Sequence, residues 1–212
     1  MGRRKKSIPR KKTYSIIVDG DTEVWYFNML KRNERHLKIS IKPELPKRKK
    51  LSEQYHYVCS AAENYTKVFW VVDFDTILKE TKDTRKGKET PLQEFQKYRN
   101  KLANKYDNVI VIINSPCLEF WTLLHFKFTS KFYPLCDNCI SDLKKYLPDY
   151  EKTQKYYTKE NDDIYLKLKP YLKTAIEHSE RLGKGDLSHP EKAISEMNLF
   201  FNDEAFDDFF KN

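Results

Sequence analysis

The chain has 212 residues, 39% of them hydrophobic and 14% aromatic, which is enough for one α/β-sized core with appended helices. Its net charge of +9 favours a polyanionic partner, nucleic acid before an anionic membrane. No apolar stretch approaches the ~20 residues of a membrane span, no apolar segment follows the charged start MGRRKKSIPRKK as in a signal peptide, and Lys6 stands where a myristoylation motif needs Ser or Thr, so the protein is expected to be cytoplasmic and not membrane-bound.

Residues 1–12 hold seven Lys/Arg and no acid, and are expected to form a basic, disordered arm. TYSIIV (13–18) reads as a short buried strand, followed by the turn residues DGDT. Asp21 or Thr22 can cap a helix over about 22–33, with Val24, Phe27 and Leu30 on one face. LKISIKPEL (37–45) alternates like an edge strand, PKRKK (46–50) is a basic loop, and 51–65 look helical. KVFWVVD (67–73) is continuously apolar, as a central parallel strand covered on both faces would be. Residues 77–90 are charged and read as a loop. PLQEFQKYRNKLANKY suits a helix with Pro91 in its first turn. NVIVII (108–113) is another buried strand, and CLEFWTLLHF (117–126) an apolar helix.

This βαβαβαβα order over 13–127 predicts a mostly parallel, four-stranded α/β sheet with helices on both faces. The remainder, 128–212, shows no clear strand. It is expected to be a helical extension packed on that core, with helices over 162–182, kinked or divided at Pro170, and over 190–201.

Acids recur at three predicted strand ends. Asp19 follows the first strand and Glu23 lies one helical turn on; Asp73 and Asp75 end the third; Glu119 follows the fourth. In an open parallel sheet all of them reach one edge, where ligands bind. Crowded carboxylates raise one another's pKa, and a divalent cation relieves that. Mg²⁺ suits a few carboxylates plus water and phosphate. A structural alternative is that Asp75 and Thr76 cap the next element while Asp73 pairs with a lysine.

The segments VDGDTEVWYFNML, FWVVDFDT and NSPCLEFWTLLHF resemble the RloB-like family, whose pattern is E-G-x-T-E, an apolar strand ending in D-x-D, and N-P-x-F-E-x-W-x-L-x-H-F. Asn114, Pro116, Glu119, Trp121, Leu124, His125 and Phe126 fit the last block, and AIEHSERL and SHPEKAISEM are more weakly similar to the family's C-terminal helices. The resemblance implies a Toprim-like fold, related to topoisomerase and primase catalytic domains and to OLD nucleases. In those, the acid after strand one and the D-x-D pair hold Mg²⁺. It also implies a role in antiphage defence, often beside an AAA-type ATPase. Two positions depart from the pattern: Asp19 replaces the first glutamate, one methylene shorter, and Cys117 precedes Leu118.

The resulting expectation is a nuclease dependent on Mg²⁺ or Mn²⁺ and acting on DNA or RNA. Asp19, Glu23, Asp73, Asp75 and Glu119 would hold metal; Glu23, Asp73, Asp75 and Glu119, with His125, would serve catalysis. The alternative is a non-catalytic module that binds nucleic acid or an ATPase. His125 could donate to phosphate or be a satisfied core histidine. Arg3, Arg4, Lys5, Lys6, Lys47, Arg48, Lys49 and Lys50 would track a phosphate backbone, with Lys86 and Lys88 as further candidates. YEKTQKYYTK mixes aromatics with lysine, as a stacking surface or a packed tyrosine layer would. Cys136 and Cys139 form one C-x-x-C, half a zinc site, and are expected to be ordinary reduced thiols. With five glycines and no phosphate-cradling loop, the chain is not a P-loop NTPase.

Overall fold

Four apolar runs become parallel strands: β1 (Lys12–Ile17), β2 (Ile39–Glu44), β3 (Lys67–Asp73) and β4 (Val109–Ser115). The structure, a computed structural model, describes residues 12–37, 39–46 and 50–207. A fifth strand, β5 (Ile194–Ser195), joins antiparallel to β4, and the sheet order is β2-β1-β3-β4-β5. The expected α/β class holds, with one strand more than expected. β5 is too short to show a period in sequence. It forms because Glu196 grips β4 on both sides: its backbone N–H donates to the Ile113 carbonyl (2.9 Å) and its carboxylate accepts from the Ile113 N–H (3.0 Å). The helix expected over 190–201 is therefore confined to Asn198–Phe201.

The remaining helices are α1 (Asp21–Asn33), α2 (Leu51–Asn64), α3 (Phe74–Asp83), α4 (Pro91–Lys105), α5 (Leu118–Leu124), α6 (Cys136–Leu143), α7 (Gln154–Tyr157), α8 (Ile164–Leu168) and α9 (Leu172–Leu182); Asn198–Phe201 is α10. Pro170 divides α8 from α9 through a 3₁₀ turn, as its missing N–H dictates. α3 lies where a loop was expected from Ile77 onward. Only a narrow stripe, Phe74, Ile77 and Leu78, meets the core, and the exposed Lys79, Glu80, Lys82 and Asp83 mask it in the sequence. α4 starts at a capping box, Thr90 with Gln93.

The strand pleat sorts the core into two layers. Phe69 and Val71 face α1, α5 and the C-terminal helices, while Val68, Trp70 and Val72 face α2, α3 and α4. Consequently α1 leaves β1 toward one face and α3 leaves β3 toward the other. β1 and β3 are neighbours, so this is a topological switch point, where an open crevice forms beyond the strand ends.

The C-terminal segment secures the opposite edge of the sheet. Buried Asp203 accepts from the Tyr14 hydroxyl, the Lys67 ammonium and the Ala205 N–H (3.0 Å). Burial opposes its ionisation, but these donors outweigh burial and hold its carboxyl below the ordinary range. Asp203→Ala should therefore cost roughly 1–3 kcal/mol by stranding buried donors. A depressed pKa gives stability above the unfolded value and loses it as pH falls, so the melting gap should narrow below about pH 4. A pH-independent gap in thermal melts would refute this.

Candidate metal centre

At the switch point, one carboxylate oxygen each from Asp19, Glu23 and Asp73 lies within 4.8 Å of the others. Two oxygens on one Mg²⁺ are separated by about 2.9–4.2 Å, given its octahedral radius of ~2.0–2.1 Å. A cation would need only a small inward adjustment of these side chains. They line a cleft of about 460 Å³ with Asp75, Thr76, Trp25 and Lys152.

Each acid is delivered by local structure. Asp19 leaves β1 just before α1. Glu23 sits in the first turn of α1, 1% exposed, and the Thr22 hydroxyl lies 3.3 Å from both its oxygens. Gly20 caps α1 with ordinary extended backbone; what it provides is space, because a Cβ there would overlap Glu23 Oε2. Asp73 closes β3. Its Oδ2 accepts from the Leu118 N–H at the start of α5 (3.3 Å), and its buried Oδ1 has no hydrogen-bond partner. The N–H groups of Phe74 and Asp75 both donate to the Pro116 carbonyl (3.0 Å each), beyond a cis Ser115–Pro116 bond, so the β4–α5 turn supports the first turn of α3.

These acids resist ionisation without a cation. Burial, then Asp19 and Glu119, push the Glu23 pKa up to about 8. Burial, then Glu23, Asp19 and Glu119, raise Asp73 well above the carboxylate range. The donor set is all oxygen, with one buried oxygen unpartnered, which fits a hard divalent ion.

Not every expected residue joins them. Asp75 borders the cleft, but in the first turn of α3, where it accepts from the Thr76 N–H (2.6 Å). Glu119 is fully buried behind the cleft and accepts from the Tyr150 hydroxyl (2.8 Å) and pairs with Lys152 (3.1 Å). It acts on Glu23 and Asp73 by charge. His125 does not line the cleft. It is buried edge-on to Trp121, with Nδ1–H donating to the Trp121 carbonyl (3.0 Å), and burial lowers its pKa to about 3. This is the core-histidine arrangement, and the imidazole stays neutral. Lys50 caps α2 beside a second cleft of about 300 Å³ that shares Asp19, Asp73 and Thr76. Arg3, Arg4, Lys5, Lys6, Lys47, Arg48 and Lys49 lie outside the described residues.

Lys152 went unrecognised in the sequence. It reaches the cleft because Tyr150 and Tyr157, linked hydroxyl to hydroxyl (2.6 Å), fill the core beside Glu119. With the one Tyr150 proton given to Glu119, Tyr157 is the donor of that pair. Burial disfavours the Lys152 charge, but Glu119, then Asp73 and Glu23, outweigh it and raise its pKa. Lysine between tyrosines in YEKTQKYY was the only signal, and the tyrosine layer it also implied is present.

Cys136 is not a free thiol paired with Cys139. It is disulfide-bonded to Cys117, joining the starts of α5 and α6, while Cys139 is free and buried. A Glu119 oxygen lies within 4.8 Å of both bonded sulfurs, but these offer no thiolate to a metal.

Two outcomes follow. An acid whose folded pKa is raised binds protons more readily folded than unfolded, so stability falls as pH climbs from the unfolded value near 4.5 to the folded value of about 8. Metal-free protein should lose melting temperature across that window, and Glu23→Gln should flatten the loss. A flat wild-type profile would contradict this. Gly20→Ala should displace Glu23 and weaken Mg²⁺ binding by about 10–100-fold, as loss of a supporting contact does. Unchanged affinity by calorimetry would show that Glu23 is not a ligand.

No helix among the described residues is long and apolar enough to cross a membrane. Comparison with curated proteins found no match, and comparison with solved structures found none. The RloB-like protein family model matches residues 14–202, from β1 through the acid cluster to the C-terminal helices. The chain belongs to the RloB-like family.

Proposed function

We propose that the protein is a nuclease dependent on Mg²⁺ or Mn²⁺, hydrolysing phosphodiester bonds of DNA or RNA. The observation that carries this reading is the convergence of Asp19, Glu23 and Asp73 at the switch-point crevice, with Asp73 Oδ1 buried and unpartnered. Asp19, Glu23 and Asp73 would hold the cation, whose contribution is Lewis acidity toward a phosphoryl oxygen. Thr22 orients Glu23, and Gly20 leaves its carboxylate room. Lys152, braced by Glu119, presents an ammonium to the negative charge that grows on phosphate in the transition state. Asp75, at the cleft wall and outside the three-acid cluster, is available to take a proton from attacking water. The net charge of +9 supports a polyanionic substrate. The Toprim-like relation and a place in antiphage defence beside an AAA-type ATPase belong to this proposal through the family.

Cleavage of DNA, bulk RNA and tRNA with Mg²⁺ or Mn²⁺, with and without an adjacent ATPase, is the direct test. Asp73→Asn should reduce cutting to background while the metal-free melting temperature holds or rises, because one repelling charge is gone. Lys152→Met should cost about 10²–10³ in rate, typical of losing one transition-state donor. Asp75→Asn should slow cutting without weakening cation binding. If Asp73→Asn cuts like wild type, or melts well below it, the reading fails.

A further inference from the structure

A second cavity, of about 320 Å³, lies on the other side of the α3 start from the acid cluster. Its floor is apolar, from Phe74, Ile113, Leu187 and Ile194, and Phe74 directly follows Asp73. One polar atom lies buried in its wall without a partner: the Ser115 hydroxyl, whose neighbour Asn114 is in register with Asp73 across β4 and β3. The rim carries Lys184 and Lys192, both exposed, and neither makes an ion pair among the described residues. The rim acid, Asp186, is engaged by His189 (2.7 Å) and the Ser188 N–H (2.9 Å).

The cavity is braced by its surroundings. Buried Glu196 accepts from the Gly185 N–H (2.9 Å) as well as from β4, and Arg99 pairs with Glu196 (3.6 Å) and donates to the Gly185 carbonyl (3.5 Å). Gly185 lies so close to the sheet that a Cβ would come within 3.1 Å of Ile113. The loop after α9 is thus held as the outer wall. An apolar slot with one buried hydroxyl and two unpaired lysines at its mouth matches a base and sugar with a phosphate. Its volume is at the lower end of the ~300–1,000 Å³ of ligand sites.

The geometry points to a nucleoside monophosphate subsite, which seats the nucleotide adjoining the phosphodiester presented to the acid cluster. This rests on the nuclease reading for its strand context, but the cavity's chemistry does not. A free nucleoside monophosphate offers the same groups as a strand, so the test has both arms. In EDTA, where cleavage is silent, binding of a short single-stranded oligonucleotide and of nucleoside 5′-monophosphates would be measured for wild type, Lys184→Gln/Lys192→Gln and the rim-filling Ser130→Trp. Thermal melts check that the variants fold.

Loss of two phosphate contacts should make the oligonucleotide salt slope shallower by about 1.4, roughly a 25-fold weakening at 0.1 M salt that fades toward 1 M. Monophosphates should shift the backbone NMR signals of Ser115, Gly185 and Lys192 in wild type and not in Ser130→Trp. Wild-type affinity in the folded variants, or no binding of either probe to wild type, would overturn the subsite. Monophosphate binding without strand binding would keep the site as a mononucleotide pocket and overturn its place on a strand. A parallel Mg²⁺ cleavage assay separates the two readings. Normal cutting with unaltered variant binding sinks only the subsite; no cutting with intact, lysine-dependent binding of both probes supports the subsite and counts against the nuclease.

Discussion

Three carboxylates at one crevice repel each other, and the arrangement around them exists to hold them there. The crevice arises because α1 and α3 leave neighbouring strands toward opposite faces of the sheet, which parts the chain beyond the strand ends. Asp19 and Glu23 reach it from one side and Asp73 from the other. Confinement in an apolar setting costs free energy whenever the acids are charged, and it pushes Glu23 and Asp73 toward the protonated form. Backbone donors alone do not cancel this. Asp73 receives one from Leu118, and its other oxygen receives none.

The C-terminal part belongs to the same physics. It supplies Lys152, the one cation in the cleft lining, and the Tyr150–Tyr157 pair that fixes Glu119 beneath it. It also supplies Glu196, a buried carboxylate that is satisfied where Asp73 is not, because β4, Gly185 and Arg99 surround it with donors. The contrast is instructive. One buried acid is a structural clamp with its lone pairs filled; the other is left open toward a cleft. The first closes a sheet edge and shapes a pocket wall, and the second can accept a ligand.

Much of this was legible in the sequence because burial on both faces writes continuous apolar runs, and β1, β3 and β4 fall where TYSIIV, KVFWVVD and NVIVII place them. Acids at the ends of such runs reveal the crevice without any side-chain geometry. What stayed hidden has short or mixed signals. α3 buries too narrow a stripe to stand out against its charges, and β5 is two residues long. Asp75 reads like Asp73's partner, yet the helix begins between them and turns its carboxylate to Thr76. His125 follows Glu119 in the same helix, but one and a half turns carry it to the Trp121 layer. Lys152 is far from the acids in sequence, and only the packing of the tyrosine layer brings it near. The Cys117–Cys136 bridge spans 19 positions and carries no spacing signature, whereas the nearer Cys139 does.

The central claim is that Asp19, Glu23 and Asp73 share one cation. Anomalous diffraction from crystals soaked in Mn²⁺ tests it most directly. The account predicts a peak in the crevice with oxygens of all three residues bound at about 2.0–2.2 Å, the range for a hard octahedral ion. No peak there under saturating Mn²⁺, or a Mn²⁺ held without Asp73, would contradict it.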